Sequence, residues 1–108
     1  MITVDIADLI WRRFEPMQIR QAYVWAALGG VAVHTMGSIT GDAFKGAPRV
    51  FHGQRFAHLF ACDRDTLIAC AVDLGCRPQW VQKDDDEQRR HFDITGRRLR
   101  EALLRCQG

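Results

Sequence analysis

The stretch from Arg55 to Gly75, RFAHLFACDRDTLIACAVDLG, restricts this chain more than any other. Its first half alternates as a strand does. Phe56, His58 and Phe60 fall on one side, and Ala57, Leu59 and Ala61 on the other. Its second half changes period. Leu67, Cys70, Ala71 and Leu74 recur at i, i+3, i+4 and i+7, which makes one apolar helix face. Asp63 stands where an N-cap carboxylate accepts an orphaned backbone N–H. Gly75 follows the last apolar residue and can take the left-handed conformation that ends a helix. A buried strand feeding an amphipathic helix is the expected centre of the fold. The polar side chain in the body of that strand is His58.

With 108 residues the chain has material for one domain and one modest core. Its 47% apolar and 26% charged content are those of a globular protein. No apolar run approaches the roughly 20 residues that span a bilayer, so no membrane partner is expected. No signal-peptide pattern opens the sequence, and the expected location is the cytoplasm. The four cysteines, at 62, 70, 76 and 106, form no Cys-x-x-Cys pair. Their positions suit buried reduced thiols rather than a zinc cluster.

Around the centre, Asp5 is expected to cap a helix carrying Ile6, Leu9, Ile10 and Phe14, although Ile2, Val4 and Ile6 also alternate as a strand would. Pro16 suits the first turn of a second helix, ended by Gly29 and Gly30. Val31–Thr35 reads as a strand, 37–48 as a loop, and 50–54 as a hairpin into the central strand. After Gly75, Gln79–Gln82 reads as a short strand, Lys83–Arg90 as a charged loop, and His91–Ile94 as extended chain. Thr95 is the expected N-cap of a last helix striped by Leu99, Ala102, Leu103 and Cys106. The helix between two strands suggests a crossover. The expected class is α/β or α+β. It has a small mixed sheet with amphipathic helices packed on it, an N-terminal helical extension over 1–30 and an α/β core over 31–108.

Several short motifs together resemble the uncharacterised family called domain of unknown function 4031, found in bacteria and their phages. They are His52-Gly53, Phe56-Ala57-His58-Leu59, the helix to Gly75, Trp80-Val81-Gln82 and His91-Phe92-Asp93-Ile94 with the helix after it. The resemblance covers about residues 48–105. Ala61-Cys62 stands where the family has Ala-Asp, and Ile68 where it often has His. The resemblance implies a bacterial or phage setting and brings no activity with it.

Four groups of residues are candidates for chemistry or binding. His58, His91 and Asp93 form a donor set for a transition metal such as zinc or manganese, with Asp5 or Asp42 as a fourth ligand. His91 and Asp93, two apart on extended chain, share a face. Cys62, just before a helix N-terminus, is the alternative nucleophile, with a histidine as base. Arg97, Arg98 and Arg100 open the last helix and form a candidate phosphate site. Trp11, Phe14, Tyr23 and Trp25 crowd the N-terminal segment and would suit a protein partner or a homodimer if exposed. The net charge of +2 does not imply a nucleic-acid partner, and Asp84-Asp85-Asp86-Glu87 beside the arginines argues against one. The expected function is a small non-catalytic binding or interaction protein without a cofactor, such as a phage accessory factor. The rival is a metal-dependent hydrolase of a nucleotide or phosphoester, using His58, His91 and Asp93.

Overall fold

The computed structural model describes residues 5–38 and 55–107. Seven regular elements follow in order: β1 (Trp11–Phe14), α1 (Ile19–Ala27), β2 (Val31–Ser38), β3 (Arg55–Phe60), α2 (Arg64–Asp73), β4 (Phe92–Thr95) and α3 (Gly96–Arg105). Tight 3-10 turns at Pro16–Gln18 and Pro78–Trp80 complete the path. The strands lie in the order β1-β2-β3-β4. β1 is parallel to β2, and the other neighbours are antiparallel. This is the small mixed sheet of an α+β fold.

The strand–helix centre forms as its residues dictate. On β3, Ala57 and Leu59 are sealed against α2 and α3, in a core with Val31, Val33, Phe92 and Ile94. Phe60 goes to the opposite face, in a second core with Phe14, Ala22, Ala26 and Ala32. Asp63 accepts the Thr66 N–H at 2.8 Å, and Gly75 takes φ +97° after α2. α1 packs on the second face through Ala22 and Ala26, whose small side chains let the helix lie close to Ala32. Gly29, at φ +103°, ends that helix. Among the described residues no helix is long and apolar enough to cross a membrane.

Several expectations are corrected. Residues 11–14 are a strand, not part of a helix, so the N-terminal segment contributes an edge strand as well as α1. The reason is burial. As a strand, Trp11 and Phe14 enter opposite cores while Arg12 and Arg13 stay exposed; the expected helix stripe left Trp11 out. The Asp5 carboxylate closes a two-residue turn onto the Ala7 N–H at 3.0 Å. The crossover also sits elsewhere. α1 joins the parallel pair β1–β2, whereas β3 and β4 are antiparallel. Gln79–Gln82 is no strand: Pro78 starts a 3-10 turn, and only Gln82 bridges to His91. Trp80 lies beneath the Arg98 guanidinium, 5.1 Å from its ring centre. Thr95 does precede α3, but its side chain makes no capping bond. The strand expected at 31–35 extends to Ser38, and the rest of the 37–48 loop and the 50–54 hairpin lie outside the described residues.

Candidate metal centre

Strand pairing sets the site. His34 on β2 stands directly opposite His58 on β3, and His58 stands opposite Asp93 on β4. Direct partners point to the same face, so one row crosses three strands. His91, two residues before Asp93, falls on that face as well. Its backbone is fixed by reciprocal bonds with Gln82, of 2.7 and 3.1 Å. The loop before it is closed by Arg90, which donates to the Asp84 carbonyl at 2.9 and 2.7 Å. The Asp84 carboxylate in turn accepts from Arg64 at 2.8 and 3.1 Å. The acidic run thus anchors the segment that delivers His91.

The three expected residues converge. His58 Nε2 and His91 Nε2 each lie 3.3 Å from the same oxygen, Asp93 Oδ1. The offered donor atoms all lie within 4.8 Å of one another. Oδ1 is buried, and its two close contacts lack hydrogen-bond geometry. Ligand atoms about 2.0–2.1 Å from a tetrahedral ion stand about 3.3 Å apart, a spacing that the two short contacts match and that an imidazole–carboxylate pair also takes. His91 Nδ1 lies 2.6 Å from the Arg89 carbonyl oxygen. A carbonyl only accepts, so Nδ1 carries the hydrogen and the Nε2 lone pair of the neutral ring faces Asp93. A ligating histidine is commonly oriented in this way. Phe56 and Phe60 flank His58 edge-on at 5.7 and 5.9 Å, and the Tyr23 ring covers Phe60 at 4.8 Å. The walls are aromatic, and the three side chains as a whole stay partly exposed.

The electrostatics divide the imidazoles. Burial, reinforced by the neighbouring His91, pushes His58 down to about 4, although Asp93 opposes this. Burial also pulls His91 down, but its contact with Asp93 and its bond to the Arg89 carbonyl outweigh that and raise it above the ordinary value. At neutral pH His58 is therefore a free base, and His91 holds its proton more tightly than usual against the Asp93 carboxylate.

Other expected residues are placed differently. Asp5 borders a surface groove with Trp11 and Arg105, in contact with the core on the other face of the sheet, and Asp42 lies outside the described residues. The Cys62 thiol is exposed and meets the Asp63 carboxylate at 3.6 Å rather than an imidazole. Arg98 turns back to donate to the Gly75 carbonyl at 3.1 Å, while Arg100 lines a shallow groove with Arg55. Arg98 and Arg100 thus have different surroundings. Trp11 and Phe14 are core residues, Trp25 is half-buried, and Tyr23 lies on Phe60. The exposed large apolar residues of this region are Ile10, Met17, Val24 and Leu28, together with Tyr23, which keeps 37% exposure.

His34 was not expected at the site. It is only 3% exposed, and its Nε2 bonds the Pro16 carbonyl at 3.0 Å. The signal for it was its place beside Ala32 in the alternation of β2, but only strand pairing puts it next to His58. Compared with family models, curated proteins and solved structures, the chain matches none.

Proposed function

We propose that this protein binds one divalent transition ion through His58 Nε2, His91 Nε2 and Asp93, and that it is a metal-dependent hydrolase acting on a phosphoester or related ester. The supporting observation is the shared 3.3 Å spacing of both imidazole nitrogens to Asp93 Oδ1, with His91 oriented by the Arg89 carbonyl. Two nitrogens and one carboxylate oxygen suit zinc or manganese and leave a coordination position for water. The ion's role there is to lower the pKa of that water, so that hydroxide is available near neutral pH. His58, already uncharged, offers its lone pair without first losing a proton. His91 has to release one, so binding weakens as pH falls.

The test is calorimetric titration with Zn²⁺ and Mn²⁺ at pH 7.5, repeated with His91→Ala and His58→Ala. One ion per chain is expected, with a loss of at least tenfold in affinity in each variant and hydrolysis of a bis-aryl phosphate only in the loaded protein. Absence of stoichiometric binding to the folded wild type would sink the metal reading. Binding without hydrolysis would remove the catalytic half alone.

The reading as a non-catalytic interaction protein keeps one supporting observation, the exposed side chains of Met17, Val24 and Leu28 on and beside α1. A molecular mass that rises with concentration, and that falls on Leu28→Glu, is the expected result under that reading.

A further inference from the structure

A cleft of about 380 Å³ lies between the edge strand β1 and α1, away from the histidine cluster. It is lined chiefly by Arg12, Arg13, Arg20, Val24, Trp25 and Leu28. The sequence spreads these residues over two elements, and only the packing of α1 on β1 brings Arg12 and Arg20 to one cleft. Arg13 is partly engaged by Glu15 at 3.3 Å. Among the described residues, neither Arg12 nor Arg20 has a carboxylate partner.

The cleft also has a rigid aromatic floor. Trp25 Nε1 donates to the Ile10 carbonyl at 3.2 Å, and the indole lies directly against Gly30. The Arg12 guanidinium lies over the Trp25 ring at 5.5 Å and over Phe14 at 5.6 Å. A guanidinium held over aromatic rings is a planar cationic platform on which a nucleobase stacks. Arg20, also lining the cleft, supplies charge for a phosphate. Val24 and Leu28, 58% and 79% exposed, give an apolar rim. The volume falls within the range of about 300–1,000 Å³ usual for small-molecule sites.

We propose that this cleft binds a nucleotide unit: a planar base stacked over Arg12 and Trp25, with its phosphate held by Arg20. A free mononucleotide and one residue of a single-stranded nucleic acid present the same chemistry. The site is independent of the metal centre and stands whether or not that centre is catalytic.

The test is fluorescence polarisation of labelled dodecathymidylate at low salt, with competition by thymidine monophosphate, by the unlabelled oligomer and by oligoglutamate. Saturable binding is expected, with a log–log salt slope of about −0.7 for the one phosphate held on a single strand. In the Arg12→Gln/Arg20→Gln double variant the affinity should fall at least tenfold and the slope should shrink towards zero. Trp25→Phe should weaken binding but keep the slope. An Arg97→Gln/Arg100→Gln control should behave as wild type, and thermal melts show that each variant is folded. Competition by the monophosphate at concentrations near those of the oligomer identifies free nucleotide as the ligand. Competition by the oligomer alone identifies a nucleic-acid strand. No saturable binding, equal losses in the double variant and the control, or equal displacement by oligoglutamate would overturn the proposal.

Discussion

His58 and Gly30 show how much depends on single positions. His58 is held uncharged among Phe56, Phe60 and His91, so protonating it in the folded state is unfavourable. The folded value, about 4, lies below the ordinary 6.5. The stability from its neutral form is therefore present above pH 6.5 and is lost as pH falls from 6.5 through 4. The shift corresponds to at most about 3 kcal/mol. His91 carries the opposite sign: its raised value gives stability present below 6.5 that is lost as pH rises through the folded value. Urea unfolding of the metal-free protein between pH 7 and pH 4 is expected to show falling stability, and His58→Phe should flatten that slope. A slope unchanged in the variant would mean that His58 is not the responsible group. At Gly30 the constraint is space. A Cβ there would come within 2.2 Å of Trp25 Nε1. Gly30→Ala is expected to cost about 1–3 kcal/mol in a urea melt, the usual range for overpacking. A neutral result would show that the indole moves freely.

Among the elements, local pattern and tertiary demand diverge most in the first thirty residues. The periodicity that suggested a helix over Ile6 to Phe14 is real, but the sheet buries Trp11 and Phe14 on opposite faces, which no single helix stripe does. α1 succeeds because Pro16 starts its path, Gly29 ends it, and Ala22 and Ala26 lie flat on Ala32. The turn region after Pro78 was open to misreading for a related reason. Trp80, Val81 and Gln82 have strand-like composition, yet among the described residues one bridge to His91 is the only pairing they make. The loop from Lys83 to Arg90 has more consequence than its charged composition suggests. Asp84 binds both Arg64 and Arg90 and so holds the turn whose Arg89 carbonyl orients His91. Asp84→Asn should therefore weaken zinc binding about tenfold, the low end for loss of an outer-shell support, while the folded fraction at neutral pH is unchanged. Zinc affinity equal to wild type would show that the loop does not orient the ligand.

On the scale of the whole molecule, one sheet separates two environments. The face under α2 and α3 is almost entirely apolar and contains Cys70 and Cys76, whose burial raises their thiols, Cys70 to about 12. Cys106 is likewise raised by burial, to about 11, and bonds the Ala102 carbonyl. Only Cys62 is exposed. A thiol-reactive disulfide reagent at pH 7.5 is expected to label Cys62 rapidly in the native protein and all four of its cysteines in denaturant; rapid native labelling of Cys70 would contradict the packing described. The opposite face holds α1 on one side and the imidazole row on the other. The central strand–helix unit, its caps, the closing helix and the three side chains that converge, His58, His91 and Asp93, were legible in the sequence. Those features depend on neighbours a few residues apart, and hydrophobic period and capping chemistry report them directly. The strand at Trp11, the parallel β1–β2 pair, the row from His34 to Asp93 and the arginines gathered around Trp25 were decided only by the tertiary structure. They depend on which strands pair and in what register, and pairing is set by the summed burial of residues far apart in the chain, which no local spacing records.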